Sequence, residues 1–275
     1  MNYIDQHVHS NISHDGISTY QEHIYYAKNH GISEITFTEH FDDYKGIKTN
    51  LKTLDVDKYE EAYNAINPDS TFKTNFGIEV GLRSGSKDLI KKMVNSYNFD
   101  FIIGSNHITC DKDMAYDSSF FDGLTREEAI TKYLEDVLIN IKTYHDYFDV
   151  YGHLDYVIRY INKYYGSITK MNYETYQELL DEILKTLIDN NRGIEVNTSG
   201  IRYGLGIFNP NIQILRRYLE LHGNIITIGS DAHRYQDLAS YFNLVYSVLE
   251  SIGYKYLTVY HNRVPEQIKI QSLKY

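Results

Sequence analysis

The chain has 275 residues, of which 42% are hydrophobic and 23% charged, a size that suits one (β/α) barrel and a composition ordinary for a globular protein. Its formal net charge of −10 disfavours nonspecific association with nucleic acid or an anionic membrane surface, since both need clustered Lys and Arg. No stretch approaches the ~18 consecutive apolar residues of a membrane span, and Met1–His7 lacks the basic-then-apolar pattern of a secretory signal. The lone cysteine, Cys110, cannot form an internal disulfide and is expected to be a packed or loop thiol. A cytoplasmic location is the default expectation. Tyr is frequent at 28 residues and Trp absent, but no periodic Tyr repeat signals a nucleic-acid module.

Short apolar runs alternate with longer amphipathic stretches, the pattern of βα units. In chain order, Tyr3–His9 precedes the helical stretch Thr19–His30, Glu34–His40 precedes Asp55–Ile66, and Lys73–Gly81 precedes Ser86–Asn95. Phe99–His107 precedes Thr125–Phe148, Val150–Asp155 precedes Tyr173–Asn190, Gly193–Thr198 precedes Asn211–His222, and Ile225–Asp231 precedes Tyr235–Ile252. Within Tyr173–Asn190 the apolar residues Tyr176, Leu179, Leu180, Ile183, Leu184, Leu187 and Ile188 recur at three- and four-residue spacing and predict one buried stripe. No linker, fixed-period repeat or low-complexity tail interrupts the series, so one α/β domain over residues 1–275 is expected. The polar segment from Cys110 to Gly123 is read as a long loop over one face.

At the carboxyl end of every predicted strand, or just past it, stands a residue able to bind a metal, and barrel enzymes place their sites at that face. The first strand ends in His7-Val8-His9, whose alternation points both imidazoles the same way. The others supply Glu39-His40, Glu79, His107, His153 with nearby Asp155, Glu195, and Asp231-Ala232-His233. Asp15, in the loop after the first strand, is favoured over its neighbour His14 as a further contributor. Any one strand-end histidine is more often a hydrogen-bonded structural residue. Here, however, His7, His9, His40, His107, His153 and His233 make up half of the 12 histidines, and strands are a minority of the chain. His23, His30, His145, His222 and His261 fall in or near helices or after a late apolar run, where solvated or capping roles are expected.

Imidazole and carboxylate ligands without thiolate suit zinc, manganese or iron(II). A supply of about nine ligands exceeds one ion's need and points to two or three ions bridged by a carboxylate, chemistry suited to hydrolysis at a tetrahedral group.

These motifs resemble the polymerase and histidinol phosphatase family, PHP, through His7-Val8-His9, Thr38-Glu39-His40, Gly77-Ile78-Glu79, Gly104-Ser105-Asn106-His107, Gly152-His153-Leu154-Asp155 and Asp231-Ala232-His233, in the family's order. The resemblance spans essentially the whole chain. It implies a distorted seven-stranded (β/α) TIM-like barrel holding up to three metal ions. By motif, His7, His9, Glu79 and Asp231 would surround the first ion, with Glu79 bridging to a second held by His107 and His153. His40, His233 and Asp15 would hold the third, although relatives often carry His at the Asp15 position. Glu195 is not a usual ligand in the family and is read as support for a ligand or a substrate contact, with support favoured. The stand-alone histidinol-phosphate phosphatases are the most similar members, which implies hydrolysis of L-histidinol phosphate in histidine biosynthesis. Arg159 and Arg202, each following a barrel strand, are then candidates to grip the phosphate, with Arg83 a weaker one. Asp231 or His233 is the candidate acid for the leaving alkoxide.

Rival readings keep the metal site with nucleotides, oligonucleotide ends or sugar phosphates as substrate. A metallo-amidohydrolase is disfavoured because Glu79 stands where that class commonly has a carboxylated lysine. A non-enzymatic barrel would have lost ligands, and this chain retains nearly the full set.

Overall fold

A computed structural model describes residues 2–66, 72–166 and 171–274. Seven parallel strands, Tyr3–Val8, Ile32–Phe41, Lys73–Gly81, Phe101–Ser105, Val150–Tyr151, Gly193–Asn197 and Ile226–Gly229, pair in sequential order. Helices between them make an α/β single domain with a nearly closed, TIM-like barrel, as the alternating pattern predicts. The strands are almost wholly buried, because a parallel sheet wrapped by helices has no wet face.

The ends of this sheet do not form a full ladder. The first and seventh strands meet through the single bridge Val8–Ala232, with Asp231 N donating to His7 O at 2.8 Å and His9 N donating to Ala232 O at 2.9 Å. Below this seam a C-terminal hairpin, Tyr256–His261 with Val264–Lys269, lies against the barrel's amino-terminal end. Buried Gln6 donates to Thr258 O and accepts from Tyr260 N. The sequence reading does not anticipate this hairpin.

Local chemistry sets the helix starts. Thr19 with Glu22 and Thr125 with Glu128 form capping boxes, each satisfying two end groups reciprocally. The stripe predicted on the sixth-strand approach is present: Leu180, Ile183, Leu184 and Leu187 are buried on helix Gln177–Asp189, while Tyr176, Leu179 and Ile188 lie at its margin. The first, fourth, fifth, sixth and seventh strands are shorter than predicted, and at the fifth and fourth the chain turns aside early. The fifth stops at Tyr151, and the chain then turns into an unanticipated helix, Val157–Tyr165, closed by the left-handed Gly166. The fourth stops at Ser105, after which Asn106 accepts from Tyr151 Oη and donates to Asp136 instead of extending a ladder.

The segment Cys110–Gly123 is more ordered than a loop. Ile108–Thr109 pairs with Lys112–Asp113 across a two-residue turn, Cys110 and Asp111, both left-handed. A 3-10 turn, Ser118–Phe121, then buries Phe120 and Phe121. Cys110 is an exposed thiol at the hairpin tip. Among the described residues no helix is long and apolar enough to cross a membrane.

The seam tolerates no added volume at Gly229, where a Cβ would lie 2.3 Å from His7 Cβ and 2.4 Å from Glu195 Oε1. Gly229→Ala is therefore expected to cost about 1–3 kcal/mol through overpacking. Thermal unfolding followed by circular dichroism should show the midpoint fall by roughly 3–10 °C, and an unchanged midpoint would mean that the seam yields.

Candidate metal centre

The carboxyl ends of the strands converge on Glu79, a fully buried carboxylate ringed by imidazoles. Its Oε1 lies 2.8 Å from His153 Nε2 and 3.3 Å from His107 Nε2, and accepts from Ser105 Oγ at 2.7 Å. Its Oε2 lies 2.9 Å from His40 Nδ1, 3.3 Å from His7 Nε2 and 3.5 Å from His9 Nε2. Register explains part of this gathering, since His40 and Glu79 are paired neighbours on adjacent strands.

Asp231 faces the same space across the seam. Its Oδ1 is 3.4 Å from His9 Nε2, 3.5 Å from His233 Nδ1 and 3.8 Å from His7 Nε2. Asp15 reaches in from the loop above, with Oδ2 3.2 Å from His233 Nε2 and Oδ1 3.6 Å from His40 Nε2. Thus all nine residues singled out as ligands, His7, His9, Asp15, His40, Glu79, His107, His153, Asp231 and His233, meet in one place. His14 lines the same cavity, with its ring tilted against His40 and edge to ring with Tyr44.

Four overlapping trios bring ligand atoms within 4.8 Å of one another: His7, His9 and Glu79; Glu79, His107 and His153; His9, His40 and His233; and His40, Asp42 and His107. Glu79 Oε2 is buried without a hydrogen-bond partner, and ring nitrogens of His7 and His9 face each other at 2.9 Å. An unsatisfied buried carboxylate oxygen among converging imidazoles is costly by itself. Divalent cations would satisfy that donor set, so the residues present fit bound metal.

Outside the imidazoles stand carboxylates that orient them. Glu195 Oε1 holds His7 Nδ1 at 2.6 Å, and its Oε2 accepts from His153 N at 3.0 Å and from Asn197 Nδ2 at 3.1 Å. This is the supporting role expected of Glu195, the arrangement that fixes a ligand's tautomer. Asp42 does the same for His107 Nδ1 at 3.0 Å. The sequence reading misses Asp42, although its place just past the His40 strand end is the available signal. Glu39 points away from the centre. Its carboxylate accepts from the N–H and hydroxyl groups of Ser10 and Ser13, ordering the loop that carries Asp15. Asp155 is likewise turned aside, accepting from Asn209 Nδ2 and from Asn211 N at 3.1 Å.

Charge coupling is strong throughout. Burial alone would raise Glu79, but His107, His7 and His40 outweigh it and hold the carboxyl well below its usual range. Asp231 is held low in the same way, chiefly by His7 against burial. Burial opposes a charge on His40, yet Asp15 and Glu79 raise it to about 9. His9 is driven well below its usual value by burial and by the neighbouring His40 and His233.

A cavity of about 350 Å³ opens over the cluster, lined by Asp15, His40, His107, His153, Asp231 and His233 at its floor. The size falls within the range of small-molecule sites. Its wall includes Arg159 from the unanticipated helix and Asp113, Ala115 and Tyr116 from the segment after His107. Arg159 lies over the Tyr203 ring at 3.7 Å and the Tyr156 ring at 4.9 Å, and donates to Ser199 Oγ at 3.0 Å. Its Nε is buried without a partner. Arg202 is placed differently from the expected phosphate-facing position. Its Nη1 and Nη2 donate to the carbonyls of Ser230 and Asp231 at 2.7 and 2.8 Å, and it is not among the cavity-lining residues. Arg83 ties Asp111 to the carbonyls of Asp43 and Lys45 and also stands outside the lining. Of the other histidines, His23 is fully buried, with Nδ1 against Thr19 O at 3.0 Å, and so is packed, not solvated.

The PHP domain family model matches residues 5–199. The histidinol-phosphatase of Lactococcus lactis is 30% identical over 244 residues, covering 85% of this chain and 85% of that one. The probable histidinol-phosphatase of Clostridium acetobutylicum is 29% identical over 251 residues, covering 91% of this chain and 94% of that one. A crystal structure of the Lactococcus lactis histidinol phosphate phosphatase complexed with zinc, L-histidinol and phosphate is similar at a TM-score of 0.84 and 26% identity, over 96% of this chain and 98% of that one.

Because His40 sits near 9, the metal-free protein carries its proton at pH 7.5, and a metal that takes the imidazole must displace it. Calorimetric titration with zinc in two buffers of different ionisation enthalpy is expected to show release of at least ~1 proton per protein at that pH. Apparent affinity should therefore fall as pH drops below 9. Release of none would contradict the charge distribution described.

Proposed function

The chain belongs to the PHP domain family, and from that premise we propose how its site carries out the hydrolysis of L-histidinol phosphate to L-histidinol and phosphate. The activity is that of a histidinol-phosphatase, a phosphoric monoester hydrolase of histidine biosynthesis. The observation that carries the mechanistic reading is Glu79, buried and shared by five imidazoles beneath an open cavity. Residues 1–275 act as one catalytic unit in the cytoplasm.

His7, His9, Glu79 and Asp231 would hold one ion, Glu79 with His107 and His153 a second, and His40, His233 and Asp15 a third, with zinc, manganese or iron as the candidates. Divalent ions supply, when bound, a water acidified toward neutral pH as nucleophile and positive charge against the phosphoryl oxygens. The protein's own groups do the rest. Arg159, always charged and lying over the Tyr156 and Tyr203 rings in the cavity wall, offers its remaining guanidinium donors to the phosphate. Ser199 holds that guanidinium and also donates to Asp231 Oδ2 at 3.1 Å, so phosphate grip and Asp231 share one partner. Arg202 serves the site through the backbone at Ser230 and Asp231. The departing group is a basic alkoxide that needs a proton. Asp231 or His233, both on the cavity surface, is the group that delivers it.

Three outcomes test this reading. Phosphate release from L-histidinol phosphate should be strongly preferred over release from ribose 5-phosphate, AMP or a short DNA oligomer, and should be lost in Glu79→Ala. Cleavage of another ester with silence on histidinol phosphate would sink the substrate assignment. Arg159→Ala should raise KM by roughly 10–100-fold, about 1.4–2.7 kcal/mol, with Arg159→Lys only partly restoring it. For proton delivery, His233→Asn should lose far more rate on the alkyl ester than on p-nitrophenyl phosphate, whose leaving group departs unprotonated. Equal losses on both would remove His233 from the acid role.

A further inference from the structure

Asp5 lies at the closing seam, two residues before His7, and its side chain is fully buried. It faces away from the cavity, yet it accepts backbone N–H groups from three segments. Oδ1 accepts from Ser230 N at 2.9 Å and from His7 N at 3.4 Å, and Oδ2 accepts from Ala239 N at 2.8 Å. A buried carboxyl group is costly unless hydrogen-bond donors surround it, and here three N–H groups do so.

The position of these bonds gives them consequence. The sheet has Tyr3–Val8 at one end and Ile226–Gly229 at the other, and between these ends one bridge stands where a ladder would run. Four of the nine proposed ligands flank this seam, His7 and His9 on one side and Asp231 and His233 on the other. Asp231 is left-handed at φ 55° and Ala239 at φ 50°, conformations that cost non-glycine residues free energy and persist only when their surroundings enforce them. Ser230, the residue before Asp231, is held at both of its backbone groups, its N–H donating to Asp5 and its carbonyl accepting from Arg202. Ala239 N fixes the following turn to the same carboxylate.

We infer that Asp5 is a positioning residue that clasps the barrel seam and thereby sets the separation of His7 and His9 from Asp231 and His233. The inference rests on the ligand assignment proposed above. Removing the clasp lets the two ligand pairs drift apart without removing any ligand, so metal affinity and turnover fall while substrate affinity holds. Its effect should match that of other partners that orient ligands, roughly 10–100-fold in metal affinity.

The test compares Asp5→Asn and Asp5→Ser with Gln6→Ala, a buried change on the same strand that loosens the C-terminal hairpin instead. Each protein is stripped and reloaded with cobalt(II), and three readouts are taken: cobalt affinity by chelator competition with the visible absorption spectrum, amide hydrogen exchange in the metal-free protein, and kcat against KM. Expected for the Asp5 variants are a 10–100-fold loss of cobalt affinity, an altered spectrum, faster exchange at Ser230 and Ala239, and a lower kcat with KM nearly unchanged. Gln6→Ala should lose thermal stability but keep the wild-type spectrum and affinity. The inference is overturned if a folded Asp5 variant retains wild-type affinity and spectrum, or if Gln6→Ala loses them equally. It is also overturned, with no variant needed, if Ser230 and Ala239 amides exchange rapidly in the metal-free wild type. Wild-type protein that binds no cobalt, with those amides protected, would instead refute the ligand assignment and leave the clasp intact.

Discussion

A charged carboxylate with no access to water sits at the centre of the molecule, and the surrounding structure answers it. Glu79 has imidazoles of His7, His9, His40, His107 and His153 within 3.5 Å. An isolated buried carboxylate would protonate; here the opposing positive charge holds Glu79 low, while against burial Glu195, Asp15 and Asp42, each together with Glu79, raise His7, His40 and His107 respectively. The cluster is thereby poised to exchange protons for metal. Glu195 and Asp42 then engage Nδ1 of His7 and His107, leaving Nε2 of each ring directed inward.

Geometry at the seam is the second constraint. Seven strands with one bridge in place of the last ladder leave a gap that side chains must span. Glu195 bonds both the first-strand ligand His7 and the backbone of His153, whose φ of 22° is unusual for a non-glycine residue. Asp5 and Arg202 act across the seam on the N–H and the carbonyl of Ser230. Two of the left-handed residues, His153 and Asp231, are proposed ligands, and there the supporting contacts over-determine the backbone.

Net charge and site charge have opposite tasks. A surface carrying −10 overall would repel a phosphate ester at long range, but screening confines that effect to about 10 Å or less at physiological salt. Within the cavity, bound cations and Arg159 dominate. Two of the abundant tyrosines have a local use there, because the Arg159 guanidinium lies over the rings of Tyr156 and Tyr203.

Strand-end chemistry was legible because period-two alternation and apolar runs mark a parallel strand, and a parallel barrel has one functional face. That reasoning located all seven strands and brought the nine ligand positions together from His7 to His233. What it missed depends on contacts distant in sequence. Helix Val157–Tyr165, which aims Arg159, was hidden because the fifth strand was carried through to Asp155, past the turn at His153. The hairpin over the barrel floor is held by Gln6, some 250 residues away. Asp5, Asp42 and the orientation of Arg202 have no periodic signature, since a carboxylate that holds a backbone and one that binds metal are the same residue type. By itself the sequence determined which side chains point to the carboxyl face, through strand alternation. Tertiary structure alone decided which of them touch, because ring closure and the turned backbone at His153 and Asp231 set distances that local spacing does not encode.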